Sequence, residues 1–352
     1  MNQRTLLLSL IALSLSASGG LGWYLFNVPA GSGTAILLQR SAARIPQGSP
    51  AQKPKEESGA LITERTVSFM TAGPTSTSIL FVDTPSGRVY RVDAETKEEV
   101  PLSLRIPDLV AVRWSPLKTS LIARVRTPQG EQLRLVRLGE QKTTPISGAL
   151  AATFSPDGLS IATLEPGGIF TQKLDGAERV EWTKTRTGSG DLFWPQQESL
   201  ALITTNQATR SRDVLLVHKD GTLRRIIAHH TNLETLWSPN GTSVAHTAES
   251  GNVQVGLFIT TPSETLETKI PATPDSCAWR KDASEILCVS KEGHSATLAS
   301  YTPKTKKVAE ISSQNVRTMG VQTLVINTLE THVFLIPASG VGIYKVPLSD
   351  LR

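Results

Sequence analysis

An aromatic residue, a polar turn and then an apolar run recur along this chain at intervals of 40, 40, 43 and 42 residues. The copies begin at Trp114 (WSPLKTSLIARV), Phe154 (FSPDGLSIATL), Trp194 (WPQQESLALIT), Trp237 (WSPNGTSVAHT) and Trp279 (WRKDASEILCV). Four of the chain's 6 tryptophans hold this one position, so the register of the repeat is unambiguous. Two degenerate copies flank the clear ones. An apolar run from Ile79 puts the marker position near Ala72, and a run from Val333 puts it near Ile326.

Each period has room for four short strands, A to D. In the copy at Trp194, A ends at the tryptophan, B covers Leu200–Thr204, C Val214–His218 and D Leu223–Ile227. Asp220-Gly221 supplies the hairpin turn between C and D, and Asp157-Gly158 and Asn240-Gly241 supply turns between A and B. The B runs are apolar almost without interruption, as strands covered on both faces read. One four-stranded sheet cannot cover both of its own faces, whereas copies arranged radially cover one another. The expected fold class is therefore all-β, a β-propeller of four-stranded blades over residues 60–352, with seven blades favoured and six the alternative. The last copy has a C strand at Gly342–Leu348 and almost nothing left for D. Leu61–Phe69 is expected either to supply that strand and close the ring, or to be strand A of the first blade.

The recurring Trp/Phe-Ser-Pro-Asp/Asn-Gly followed by an Ile-Ala-like strand resembles the TolB-like, WD-repeat-like β-propeller family, whose repeat also occurs in the propeller domains of prolyl oligopeptidases. Phe154–Gly158 and Trp237–Gly241 carry the motif whole; Trp194 lacks the Ser, and Trp279 lacks both Ser and Pro. The Trp-Asp pair of WD-repeat proteins is missing and Gly-His occurs once, at Gly293-His294, rather than in each repeat. The resemblance implies a periplasmic or cell-envelope scaffold. The family's namesake has six blades, so a seventh copy departs from it.

Thr5–Phe26 is 22 residues without a charge, long enough to cross a bilayer as a helix. Arg4 precedes it, and Trp23 and Tyr24 stand where interfacial aromatics are expected. Residues 1–26 are read as a signal anchor. They place a single pass in the cytoplasmic membrane and the rest of the chain on the extracytoplasmic side. Secretion after signal cleavage is the alternative, with Ala17, Ser18 and Gly19 near the cleavage point. Residues 27–59, rich in Pro, Gly, Ser, Ala and Gln, read as a flexible linker with a reach of ~30 Å.

The formal net charge of +5 is spread along the chain, with no run of five Lys or Arg, so nucleic acid is not the expected partner. There is no G-x-S-x-G, H-E-x-x-H, P-loop, dinucleotide fingerprint or EF-hand loop. No catalytic residue, cofactor or metal ligand is therefore assigned, and His229-His230 is read as a pair of loop histidines. Asn240-Gly241-Thr242 matches a glycosylation acceptor but is read as turn chemistry. Cys277 on strand A and Cys288 on strand B are equidistant from the intervening turn. Opposed Cβ atoms sit wide for a disulfide but within reach, and export permits the bond; two buried thiols are the favoured reading.

Topology adds one more expectation. In an up-and-down blade the B–C and D–A connections leave on the same face. That rule gathers Lys184, Arg186, Arg210, Arg212, His229 and His230 into one sector of one rim, a candidate contact surface for an anionic protein partner. The leading function is a membrane-tethered protein-binding scaffold. The alternatives are an enzyme or carbohydrate-binding module using the central channel, and a structural spacer.

Overall fold

A computed structural model describes residues 59–351 except Leu104, Gln141 and residues 187–188, 251–252, 293–294 and 312–320. The expected anchor, and all of the expected linker but Gly59, lie outside the described residues.

Strand follows strand throughout. The first four are β1 (Ala60–Ala72), β2 (Ser78–Asp83), β3 (Arg88–Asp93) and β4 (Glu99–Pro101). Next come β5 (Leu109–Trp114), β6 (Ser120–Thr127), β7 (Gly130–Arg137) and β8 (Lys142–Pro145). They are followed by β9 (Ala151–Phe154), β10 (Ser160–Glu165), β11 (Gly167–Lys173) and β12 (Val180–Thr185). The repeat at Trp194 forms β13 (Gly190–Gln196), β14 (Ser199–Thr205), β15 (Arg212–His218) and β16 (Leu223–His230). Then come β17 (Thr235–Trp237), β18 (Val244–Ser250), β19 (Val253–Thr260) and β20 (Thr265–Glu267). The chain continues through β21 (Cys277–Trp279), β22 (Ile286–Glu292), β23 (Ser295–Thr302) and β24 (Lys307–Glu310), and finishes with β25 (Val321–Ile326), β26 (His332–Pro337) and β27 (Val341–Pro347).

Pairing is antiparallel between chain neighbours and gives five four-stranded sheets, β5–β8, β9–β12, β13–β16, β17–β20 and β21–β24. This is an all-β propeller architecture, and the marker residues end the first strand of each repeat except at Trp194, where β13 runs on to Gln196. The remaining strands form a seven-stranded sheet in the order β25-β26-β27-β1-β2-β3-β4. Its centre, β1, does both jobs that the sequence offered it. Ala60–Thr66 pairs with β27, while Val67–Ala72 pairs with β2. The first half of β1 also contacts the outer strand of the next repeat, where Thr63 and Arg65 both donate to the Glu99 carboxylate.

The strands differ in surroundings as a radial arrangement demands. Strand A of one sheet lies beside strand A of the next, as β9 does beside β13 and β21 beside β25. Strand B is sealed on both faces: every residue of β2 is buried. Strand D is outermost, and every residue of β8 and of β24 is exposed. The apolar core is accordingly layered between successive sheets. Leu192, Leu200 and Leu202 meet Ala162, Leu164 and Ile169, and Val67, Ile79 and Phe81 meet Phe334, Ile336 and Ile343 from the far end of the chain. At roughly 25 cal/mol per Å² of apolar surface buried, these layers are what hold sheet to sheet.

Indole nitrogens bolt neighbouring sheets together. Trp114 Nε1 donates to the Phe69 carbonyl at 2.8 Å, and Trp279 Nε1 to the Leu236 carbonyl at 3.2 Å. Cys277 and Cys288 are directly opposed between β21 and β22, with Cα atoms 4.0 Å apart, and are joined by a disulfide. This corrects the reading that favoured two thiols: the two Cα atoms stand closer than the ~4.5–5.5 Å usual for opposed residues of an antiparallel pair.

Candidate functional site

The A–B turns and C–D turns leave on one face, and the B–C turns and D–A loops on the other. The second face carries the candidate site, a cavity of about 450 Å³ at the mouth of the channel. Its ionic lining is Arg113 from β5, Arg124 from β6, Glu131 from β7, Asp191 from β13 and Arg212 from β15. Three arginines against two carboxylates leave the cavity cationic.

Arg113 is the side chain that ties this mouth together. It stands immediately before the marker Trp114, in an inner strand, and reaches across the sheet of β9 to that of β13. Its Nη2 meets both carboxylate oxygens of Asp191 at 3.1 and 3.2 Å. Its Nη1 donates to the Leu192 carbonyl and, at 3.4 Å, to that of Ala152. The guanidinium also stacks 4.1 Å from the centre of the Phe193 ring. Both partners keep part of their surface in water, so the ion pair itself adds little stability; the bidentate geometry and the carbonyl contacts fix its position.

The other charges divide into satisfied and free. Arg124 pairs with Glu131 at 3.2 Å. Arg212 donates from Nη1 to the Leu233 carbonyl at 2.8 Å; among the described residues its buried Nε has no hydrogen-bond partner and no carboxylate pairs with it. A guanidinium held by a neutral carbonyl keeps its whole charge for a ligand.

The residues expected at the rim are placed as follows. Lys184 is exposed near the end of β12, opposite Gly168 at the start of β11, and Arg186 is exposed just beyond. Arg210 is exposed in the loop before β15 with a left-handed backbone, φ 57°. Gln207 Nε2, in that same loop, donates to Ser189 Oγ at 3.2 Å, which ties the loop of Arg210 to the segment following Arg186. Arg212 and His230 are Cα partners across β15 and β16. His229 is exposed; its amide donates to Asp213 at 2.7 Å, and its ring lies 3.7 Å from the same carboxylate, which also holds Arg225 at 3.3 Å. Asp213 thus places an acid inside the expected basic sector, at its His229 end. Lys184, Arg186, Arg210 and Arg212 form no ion pair with any carboxylate among the described residues.

Behind His230 lies His246 on β18, its ring centre 5.7 Å away. His246 is buried, with Nε2 3.0 Å from Thr260 Oγ1. Loss of water pulls its pKa down to about 4, so it is neutral at pH 7. Among the described residues there is no group of three or more His, Cys, Asp or Glu side chains that could hold a metal ion.

Sequence reasoning reached the loop cations and missed Arg113 and Asp191. A signal was present: the residue before the marker is Thr153, Phe193, Leu236 or Ala278 in the other clear repeats, and a charged residue only here.

No family model and no curated protein matches the chain by sequence. Solved structures match by shape. Oligogalacturonate lyase from Vibrio parahaemolyticus superposes with a TM-score of 0.58 at 13% identity, over 83% of this chain and 92% of that one. Kuenenia stuttgartiensis hydrazine synthase matches with a TM-score of 0.56 at 14% identity, over 79% of this chain and 94% of that one. TolB from Acinetobacter baumannii is a looser match, with a TM-score of 0.44 at 11% identity over 80% of this chain and 78% of that one. At such identities the likeness establishes the β-propeller fold and leaves function to the site.

Proposed function

We propose that the chain is a seven-bladed propeller, tethered to the extracytoplasmic side of a membrane by residues 5–26, that binds an acidic protein surface at the channel mouth. The observation that carries the binding role is the set of four cations without an ion-pair partner among the described residues, Lys184, Arg186, Arg210 and Arg212, at and beside a cationic cavity. A face with uncompensated positive charge draws acidic partners and orients them on approach. Both carboxylates of the cavity are already engaged, Asp191 by Arg113 and Glu131 by Arg124, which favours binding over acid–base chemistry.

The shared strand β1 supports the blade count, because dividing it between β27 and β2 makes seven units of four strands. The Cys277–Cys288 disulfide supports export, since such bonds persist in oxidising compartments. The test is co-purification of the full chain from its native membrane after mild crosslinking. Arg186→Glu with Arg210→Glu, both exposed, is expected to lose the dominant partner. Unchanged recovery of that partner would remove the proposal.

A further inference from the structure

Trp182 is the one tryptophan between residues 60 and 352 that does not hold the marker position. It stands in β12, an outer strand, whereas the outer strands β4, β8, β16, β20 and β24 hold no Phe, Tyr or Trp. Its ring leaves its own sheet. Nε1 donates to the Val217 carbonyl of β15 at 3.4 Å. The ring meets Trp194 edge to face, with centres 5.5 Å apart and planes at 78°. Trp194 Nε1 in turn donates to the Gln197 carbonyl at 3.3 Å. With both indole nitrogens bonded to protein, what the two rings offer a ligand is carbon surface.

They offer it in a cavity of about 580 Å³ between the sheet of β9–β12 and that of β13–β16. It lies on the face of the A–B and C–D turns, away from the cationic mouth. Its polar lining mixes acceptors and donors. Glu178 is paired with Lys173 and Glu198 with Lys219, each at 3.7 Å, whereas Glu181 has no ion-pair partner among the described residues. Gln172 and Gln197 add two amides. Gln197 Nε2 donates to Asp157 at 3.0 Å, which ties the A–B turn of one sheet to that of the other and fixes the cavity wall.

Carbon walls with a few convergent polar groups are the makings of a small-ligand site, and this lining also selects the class. Two ammonium groups oppose a cationic ligand, and three carboxylates oppose an anionic one. A proline-rich segment would stack on the indoles, but its prolines bring no N–H to meet Glu181. A neutral sugar brings an apolar C–H face for the rings. Its hydroxyls donate to carboxylates and accept from amides and ammonium groups. We infer that this cavity binds a neutral oligosaccharide, with Trp182 and Trp194 against a sugar face and Glu181 and Gln172 on its hydroxyls. The site is separate from the channel mouth, and neither binding role requires the other.

The experiment applies the full chain, in a detergent without a sugar headgroup, to an array of immobilised neutral, acidic and basic oligosaccharides that also carries a proline-rich peptide. Retention on neutral oligosaccharides is expected, and Trp182→Ala should weaken it by about tenfold or more. Glu181→Ala, at an exposed position, should weaken it too, and so separates lost binding from lost folding. Arg186→Glu with Arg210→Glu should leave it unchanged; a loss there would place the sugar at the channel mouth and overturn the inference. So would the absence of retention on any neutral sugar, or retention that survives both Trp182→Ala and Glu181→Ala. Capture by the peptide alone, or by charged sugars alone, would overturn it as well.

Discussion

Lys118 and Glu330, 212 residues apart in the chain, occupy the same backbone position in two A–B turns, and each sends its side chain to the repeat before it. Both are left-handed, with φ 60° and 54°, and both amides close the turn onto the residue three back, Ser115 and Asn327. Gly158, Gly241 and Ala283 hold the equivalent position in three other repeats. Lys118 Nζ meets Thr71 Oγ1 at 3.0 Å, while the Glu330 carboxylate accepts from Arg280 at 3.4 Å and from the Lys281 amide. The same direction explains the glycines. A Cβ on Gly158 would sit 2.9 Å from Leu117 Cγ, and one on Gly241 would strike the Pro195 carbonyl, in each case in the preceding repeat.

Glycine should therefore have opposite effects at the two charged positions. Lys118→Gly relaxes a left-handed residue and removes an ammonium whose pKa burial pulls down to about 8, so it should stabilise by about 1 kcal/mol. Glu330→Gly gains the same relief but leaves the Lys281 amide without its acceptor and Arg280 with Glu285 alone, and should destabilise by about 1 kcal/mol. Glu330→Ala should be worse than Glu330→Gly, because it keeps the strained φ. Urea midpoints of the three variants check the order.

Gly158→Ala combines the two penalties, a φ of 73° and a close approach to Leu117, and should cost about 1–3 kcal/mol. Adding Leu117→Ala should recover part of that loss in a double-mutant cycle, since it removes the atom that the new Cβ meets. Additive losses would show that the backbone alone is responsible.

The Cys277–Cys288 bond closes a loop with a sequence separation of 11, for which chain entropy gives about 2–3 kcal/mol. Reductant should lower the urea midpoint of the wild-type chain and leave Cys277→Ala/Cys288→Ala unaffected. An equal response of both would place the effect elsewhere.

His246 should make the fold acid-sensitive. Its pKa falls from the usual value near 6.5 in the unfolded chain to about 4 in the folded one, so between these values the unfolded chain binds more protons. Stability is then complete above pH 6.5 and falls as the pH drops towards 4, by on the order of 2–3 kcal/mol. His246→Gln, which cannot titrate, should flatten that part of the stability curve.

The period of the repeat was legible because each copy must satisfy the same packing, and so Ala72 and Ile326 could be placed as strand ends without an aromatic to mark them. Opposition of Cys277 and Cys288 followed from hairpin register, which is local. The double role of β1 was visible only as a choice between strands, because pairing Ala60 with Lys345 requires closure of the whole chain. Arg113 and Asp191 are 78 residues apart and meet only because inner strands converge on the axis. Loop charges could be assigned to a face by parity, but their counterions could not; Asp213 faces His229 through a fold in the β15–β16 hairpin that no pattern announces.

The central claim is that the channel mouth receives an acidic protein partner, and photo-crosslinking from single positions in the native membrane tests it most directly. A photoreactive residue at Arg210 should give one discrete protein adduct that weakens as salt is raised, while the same residue at Leu223, on the opposite face, should not give that adduct. An identical adduct from both positions, or none from Arg210, would contradict the account.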